Sequence, residues 1–167
     1  MSKTFNFCQR FYQTHFEVSA EFKKFCENLT LEKFEMYTTY YLDNKLLKEK
    51  FNQVYGDIVL NYINSLLKPK EILLKNVWYQ SYKNSHHTVH THGNNKEDFS
   101  FVYYIDTDEN SSSIVFYNVG YPYVNLNHIK IKPERGMFLL FPSYLPHEVE
   151  YNKEGIRKMI SGNINIK

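Results

Sequence analysis

The chain has 167 residues, with 20 basic and 18 acidic side chains and a formal net charge of +2. A chain of this length fits one domain. Because its charges are balanced, the composition gives no indication of a surface that binds nucleic acid or a membrane. It has two cysteines, no apolar signal segment at the start and no run of roughly twenty apolar residues that a membrane span needs, so we expect a cytoplasmic protein, in the host cytoplasm if it is viral.

Two helices are predicted in the first 70 residues. Apolar side chains recur at helical spacing over residues 43–67, and Pro69 ends that helix. A weaker helix begins after Ser19, preceded by one strand near residues 10–18 and followed by helical or irregular structure. We therefore expect residues 1–70 to form a mostly helical support region.

From Glu71 onward, short apolar and aromatic runs alternate with polar turns, a pattern that is typical of strands. The predicted strands lie near residues 71–83, 86–92, 99–105, 113–118, 128–132, 137–141, 147–151 and 157–166. About eight short strands in one block favour a double-sheet jelly roll or barrel over a parallel sheet. We expect a mainly β fold with N-terminal helices, in which residues 71–167 form the core of a single domain over 1–167.

Three histidines in this block have the spacing of a metal site. Because side chains alternate along a strand, His90 and His92 are expected to project to the same face, and His147 follows a buried strand and a proline-bounded turn. Any one of them alone would more often be an ordinary surface histidine. Together they favour a metal site, and imidazole ligands suit Fe, Zn, Ni or Cu.

An arginine and a tyrosine in neighbouring strands suit the binding of a carboxylate. Arg157 begins the last strand and shares a face with Ser161 and Asn163, where its guanidinium can hold a carboxylate by two hydrogen bonds. Considered alone, it would equally suggest a surface salt bridge. Because side chains alternate along a strand, one of Tyr103 and Tyr104 points inward, where its hydroxyl can donate a hydrogen bond to the same carboxylate.

In their order, these segments resemble the 2-oxoglutarate and Fe(II)-dependent oxygenases, particularly a small type found in phages and marine bacteria and, more distantly, the prolyl hydroxylases. The resemblance covers roughly residues 76–166. It is carried by Trp78 to Tyr82, His90-Thr91-His92, Ser100 to Tyr104, Gly136 to His147, and Arg157 with Ser161 and Asn163. It implies a distorted double-stranded β-helix of the jelly-roll and cupin type, with Fe(II) as the metal, 2-oxoglutarate as cosubstrate and molecular oxygen as the oxidant.

The resemblance also implies the metal ligands. His90 matches the first histidine of the family's His-x-Asp/Glu motif, and His147 matches its distal histidine. His92 stands where most of the superfamily has an acidic ligand, which implies a site of three histidines. Glu97 or Asp98, in the turn before the next strand, is the alternative third ligand.

The resemblance also implies which residues bind the cosubstrate. Arg157 matches the basic residue that pairs with the far carboxylate of 2-oxoglutarate, and Tyr104 matches a tyrosine that assists it. Tyr82 matches a position near the cosubstrate, and Ser161 is placed to support the same carboxylate. Met159 departs from the family, since a serine is often found two residues after the arginine.

The activity implied by the resemblance is hydroxylation of a C–H bond in a small-molecule or peptide substrate, with release of succinate and CO2. Two alternatives stay open, namely a non-catalytic jelly-roll binding or virion protein with a structural metal, and a three-histidine cupin-type dioxygenase that does not use 2-oxoglutarate. We expect specificity to come from the N-terminal half and the 106–128 connection. The sequence favours no particular substrate and does not define an oligomeric state.

Overall fold

The computed structural model describes residues 10–92, 97–118 and 128–167. In chain order its elements are β1 (Tyr12–His15), α1 (Ala20–Glu27), β2 (Glu32–Lys33), β3 (Tyr37–Thr38), α2 (Lys45–Leu67), β4 (Ile72–Tyr82), β5 (Ser85–His90), β6 (Phe99–Thr107), β7 (Ile114–Tyr117), β8 (His128–Ile131), β9 (Met137–Pro142), β10 (His147–Asn152) and β11 (Arg157–Ile166). The two predicted helices and the nine predicted strands are confirmed, with ends that differ by a few residues.

Local chemistry explains where the helices begin and end. The Ser19 hydroxyl accepts a hydrogen bond from the Phe22 N–H at 3.2 Å and so caps the start of α1. At the end of α2, Lys68 adopts the left-handed conformation and donates its N–H to Asn64 O, and Pro69 cannot continue the helix. In the described ranges, neither helix is both long and apolar enough to cross a membrane.

The strands form two antiparallel sheets that pack face to face. The larger sheet has the order β1-β9-β6-β11-β4-β3-β2, and the smaller has the order β5-β10-β7-β8. Successive side chains on one strand therefore enter different layers: Tyr103 belongs to the apolar cluster beneath the helices, and Tyr104 belongs to the cluster between the sheets. This is the mainly β, double-sheet architecture that the sequence predicts.

One face of α2 covers the outside of the larger sheet. Its buried side chains recur every four residues and are Leu47, Phe51, Tyr55, Val59 and Ile63. The rings of Phe51 and Phe101 stack at 5.5 Å between centroids, and Tyr55 meets Tyr103 edge to face at 4.8 Å. The helices thus leave the space between the two sheets to the functional side chains.

The N-terminal part contributes three strands to the larger sheet: β1, which the sequence predicts, and β2 and β3, which the expectation of helical or irregular structure up to Tyr41 missed. β1 pairs with β9 at one edge of the larger sheet, and the β2–β3 hairpin pairs with β4 at the other edge. β2 and β3 have two residues each. Strands this short show no alternation in a sequence, so their pairing with β4 is a property of the tertiary structure.

Candidate metal centre

The three histidines of the predicted metal site lie together at one end of the space between the sheets. One possible ligand atom from each of His90, His92 and His147 lies within 4.8 Å of the others. His90 at the end of β5 pairs with His147 at the start of β10. His92 lies beyond the strand, which ends earlier than predicted, and its N–H donates to Ser143 O at 2.8 Å. The pairing of β5 with β10 and the hydrogen bond of His92 thus bring the three histidines together.

Two of the rings are oriented by backbone carbonyls two residues before them. His90 Nδ1 lies 2.8 Å from Thr88 O, and His147 Nδ1 lies 2.8 Å from Leu145 O. When Nδ1 carries the proton and donates it, Nε2 keeps its lone pair and can bind a metal. The same backbone interaction therefore prepares both rings for ligation through Nε2.

Burial keeps the three imidazoles in the neutral form that a metal requires. It lowers the pKa of His90 and His147 below the ordinary range, and the neighbouring histidines lower that of His147 further. Burial, with a contribution from His90, lowers the pKa of His92 to about 4. At neutral pH all three rings are uncharged and available as ligands.

The carboxylates considered as alternative ligands do not join this group. Among the described residues, the histidine cluster contains no carboxylate. Asp98 Oδ2 instead accepts a hydrogen bond from the Ile166 N–H at 2.8 Å. Glu97 Oε2 is buried and has no hydrogen-bond partner in the described part of the chain. The geometry of the structure therefore favours His92 over Glu97 and Asp98 as the third ligand.

A fourth histidine, His87, lies against the cluster, and the sequence patterns did not predict it. Its ring stacks on that of His90 with 3.8 Å between centroids and 27° between planes. The pairing of β5 with β10 is irregular here, since His90 is opposite His147 while His87 is opposite Val149. This β-bulge brings residues three apart to the same face, against the simple alternation of a strand. A His-x-x-His spacing would have indicated His87 only if the bulge were known.

Arg157 is fully buried between the sheets, and its partners in the described structure are neutral. Its Nε donates to Ser112 O at 3.1 Å, one terminal nitrogen donates to Tyr104 Oη at 3.1 Å, and the other lies 2.9 Å from Met159 Sδ. Among the described residues it has no carboxylate partner within 4 Å. A buried guanidinium without a counter-ion is costly, and an anion bound beside it would offset that cost.

Of the two other residues predicted to bind the cosubstrate, Tyr82 contacts this arginine, whereas Ser161 has a different partner. The guanidinium carbon is 4.6 Å from the centre of the Tyr82 ring, and the buried Tyr82 hydroxyl has no hydrogen-bond partner among the described residues. Burial also raises the pKa of Tyr82, so the hydroxyl keeps its proton and is free to donate it. Ser161 instead donates to Gln80 Oε1 at 2.8 Å, and it is Met159 that contacts the guanidinium.

Two cavities meet at the histidines. A narrow internal cavity reaches from the cluster to Tyr82 and Met159, which both contact Arg157. An outer pocket of about 320 Å3 opens on the other side. Its lining combines the N-terminal segment with β4 and the histidines: Phe34, Met36, Thr38, Tyr40, Tyr41, Trp78, Gln80, His87, His90, Thr91 and His92. The histidines therefore lie between a narrow buried cavity and an entrance lined by several aromatic rings.

The sequence of this core matches a family model described as the 2OG-Fe(II) oxygenase superfamily over residues 77–165, more than half of the chain. The chain belongs to this superfamily. The match contains all seven residues that the sequence predicted for the site. No curated protein sequence is significantly similar to the chain.

Solved structures of 2OG-Fe(II) oxygenases have a similar fold. An oxidoreductase of this family from Burkholderia pseudomallei is 15% identical, with a TM-score of 0.70 over 87% of this chain and 76% of that one. A prolyl-4-hydroxylase from Pseudomonas putida is 12% identical, with a TM-score of 0.62 over 94% and 93%. A viral collagen prolyl hydroxylase from Paramecium Bursaria Chlorella virus-1 is 14% identical, with a TM-score of 0.65 over 94% and 96%. At these identities the likeness is one of fold.

Membership of the superfamily makes the protein an Fe(II)- and 2-oxoglutarate-dependent oxygenase, with oxygen as cosubstrate. The residues present fit both groups. Three neutral imidazoles, each with a possible ligand atom within 4.8 Å of the others, suit a divalent transition metal. The buried Arg157, which has no acidic partner in residues 10–92, 97–118 and 128–167, suits the distal carboxylate of a dicarboxylate.

Proposed function

We propose that this oxygenase hydroxylates a C–H bond of a substrate that enters through the outer pocket, with conversion of 2-oxoglutarate to succinate and CO2. The observation that carries the proposal is the buried Arg157, which has no anionic partner in the described part of the chain and contacts Tyr82 and Met159, two side chains of the narrow cavity that the three histidines also line. A structural metal site would not need a buried cation beside it. This arrangement therefore favours a 2-oxoglutarate enzyme over a non-catalytic jelly-roll protein.

In this proposal, His90, His92 and His147 hold the iron. Fe(II) bound there would provide the redox-active site for oxygen activation, which amino-acid side chains cannot provide alone, while 2-oxoglutarate and the substrate C–H bond would each contribute two electrons. Three neutral ligands leave the double charge of the metal uncompensated among its protein ligands, unlike a site with two histidines and a carboxylate. The anionic cosubstrate is then attracted from both ends, by the metal centre and by Arg157.

The protein side chains bind and orient the cosubstrate. Arg157 and Tyr104 hold its distal carboxylate, with the guanidinium already fixed by Ser112 O so that little side-chain freedom is lost on binding. The Tyr82 hydroxyl is the unused donor at the same end and is proposed to donate to the same group. Ser161 acts from further away by holding Gln80, which borders both cavities.

The outer pocket is proposed as the substrate site. Its size suits a small molecule or one residue of a peptide, and its described lining includes no Lys, Arg, Asp or Glu side chain. Trp78 and Tyr40 meet nearly at right angles, 5.1 Å between centroids, and supply apolar ring surface. We infer that the reacting part of the substrate is uncharged. Residues 119–127 of the 106–128 connection lie outside the described residues.

The proposal is tested by titrating the apoprotein with Fe(II) under anaerobic conditions, with and without 2-oxoglutarate, and then admitting air. We expect a visible charge-transfer band that needs both components, followed by formation of succinate. The control is the His147→Ala variant, which should show neither. If the wild-type protein gives no band and no more succinate than this control, the proposal is wrong. A band with iron alone and no dependence on 2-oxoglutarate would favour the cupin-type alternative.

A further inference from the structure

Glu35 connects the N-terminal hairpin to the strand that carries His90. It lies in the turn between β2 and β3, and its two carboxylate oxygens accept hydrogen bonds from the N–H and the hydroxyl of Thr88, at 2.8 and 2.9 Å. The side chain is only 24% exposed. The hairpin is itself paired with β4, which places the carboxylate at a defined position. Two hydrogen bonds from Thr88 therefore fix the position of the Glu35 carboxylate.

The residues that Glu35 contacts are those that orient His90. Thr88 offers its carbonyl to His90 Nδ1 at 2.8 Å, while its N–H and hydroxyl are held by Glu35. His87, brought to this face by the bulge, has its Nε2 3.9 Å from Glu35 Oε2 and stacks its ring on His90. Glu35 thus supports the ring of His90 by two routes, through Thr88 and through His87.

The negative charge of Glu35 also compensates for the lack of a carboxylate among the described ligands of the metal centre. The described ligand group consists of three neutral histidines and no carboxylate. Glu35 Oε2 lies 3.9 Å from Nε2 of His87, and the His87 ring stacks on that of His90 at 3.8 Å, so the carboxylate lies close to the ligand group. A carboxylate at this position stabilises a divalent cation without binding to it.

We propose that Glu35 is a positioning and charge-compensating residue of the metal centre, which supplies from outside the ligand set the negative charge that an acidic ligand would provide. This inference rests on the proposed function, because it needs His90 to be a metal ligand. It assigns to the N-terminal hairpin a part in metal binding that lies outside the 77–165 segment matched by the family.

The test compares metal affinity in three proteins: wild type, Glu35→Gln and the matched control Glu32→Gln. Glu32 lies on the same hairpin, is exposed and loses the same charge. Each apoprotein is titrated anaerobically with Co(II) against a competing chelator, followed by the visible bands of the bound ion. We expect Glu35→Gln to bind Co(II) about 10- to 100-fold more weakly than wild type, the usual cost of losing a group that supports a ligand. Glu32→Gln should stay within about twofold of wild type.

A second measurement separates a charge effect from simple disorder of the hairpin. Azide is titrated into each Co(II)-loaded protein under saturating Co(II), with the visible spectrum as readout. Removing a nearby negative charge makes the centre more positive, so Glu35→Gln should bind azide severalfold more tightly while it binds Co(II) more weakly. A merely misplaced His90 would not produce these two opposite shifts.

The possible results distinguish an error in the metal site from an error in the proposal for Glu35. If wild type does not bind Co(II), the metal site itself is wrong, and the proposal for Glu35 falls with it. If wild type binds and Glu35→Gln matches Glu32→Gln, or if it weakens Co(II) without tightening azide, only the proposal for Glu35 is overturned. If Glu35→Gln does not fold, Glu35→Ala, which removes the same charge, is measured in its place. It should give the same opposite shifts, and their absence would overturn the proposal.

Discussion

At the scale of single residues, the environment of Arg157 gives binding of the cosubstrate a thermodynamic signature. The guanidinium is buried among neutral groups in the described structure, so an anion that joins it should stabilise the folded state strongly. With metal present, 2-oxoglutarate at about a hundred times its dissociation constant would add about 2.7 kcal/mol to the free energy of unfolding. For a chain of this size, we expect Tm to rise on the order of 5 to 10 °C.

The Arg157→Gln variant should lose that rise in Tm and keep its metal. Arg135→Gln removes the same charge from an exposed position and should behave as wild type. Differential scanning fluorimetry with Zn(II), with and without 2-oxoglutarate, makes the comparison without turnover. An equal rise in all three proteins would show that Arg157 does not hold the cosubstrate.

Tyr82 and Tyr104 are both buried beside Arg157, but their hydroxyl groups should respond differently to removal. The Tyr82 hydroxyl has no partner in the described residues, so Tyr82→Phe should leave the stability of the apoprotein unchanged or raise it by up to about 1 kcal/mol. Tyr104→Phe loses the hydrogen bond from Arg157 and should cost about 1 to 2 kcal/mol. Urea unfolding of the apoproteins measures both changes. A larger loss for Tyr82→Phe than for Tyr104→Phe would contradict this assignment of donors.

Cys26 is predicted to be chemically inert in the folded protein. It is fully buried, and burial, with the nearby charge of Glu27, raises the pKa of its thiol to about 12. Since the reactive thiolate is scarce below that pKa, a Cys8→Ser variant should not react with a disulfide reagent at pH 8 until guanidinium is added. Rapid reaction of the native variant would mean that the helix layer opens readily.

At the scale of elements, two glycines predict opposite effects of one added methyl group. A Cβ on Gly162 in β11 would lie 2.5 Å from the Phe101 ring and 2.6 Å from Asn76 O, so Gly162→Ala should destabilise the protein by about 1 to 3 kcal/mol. A Cβ on Gly56 in α2 would meet nothing closer than 3.8 Å, so Gly56→Ala should stabilise by about 1 kcal/mol. Chemical denaturation of both variants checks the signs, and a destabilised Gly56→Ala would be unexpected.

Most elements could be predicted from the sequence because their signals are local. The four-residue recurrence of α2 and the runs of β4, β6, β9 and β11 depend on burial against one or two neighbouring layers. The two-residue strands β2 and β3 carry no such signal. Their position follows from pairing with β4, which no local pattern encodes.

The residues of the candidate site can likewise be separated into those that the sequence predicts and those that it misses. His90, His92, His147, Arg157 and Tyr104 could be selected because a resemblance in order and spacing supports each of them. His87 could not, because its orientation depends on an irregular pairing between β5 and β10. Glu35 could not either, because it reaches Thr88 across 53 residues of sequence. The missed residues are thus those brought to the site by tertiary contacts alone.

At the scale of the whole molecule, the two sheets should differ in stability. β11 is paired on both sides within the larger sheet, which the helices cover, whereas β8 is a largely exposed edge strand of the smaller sheet. We expect amide hydrogens of β8 to exchange early and those of β11 only on global unfolding. Zn(II) should slow exchange in β5 and β10, which carry His90 and His147. Hydrogen exchange with mass spectrometry tests this, and equal slowing in His147→Ala would count against the site.

The bulge between β5 and β10 makes the number of imidazoles in the pocket depend on strand pairing rather than on composition. If β5 paired regularly with β10, His87 and His90, which are three residues apart, would face opposite sides and one ring would leave the cavity, with every histidine still in the chain. A change of pairing alone would therefore change the surroundings of the metal. Related chains should be compared by strand register as well as by histidine spacing, since identical motifs can enclose different pockets.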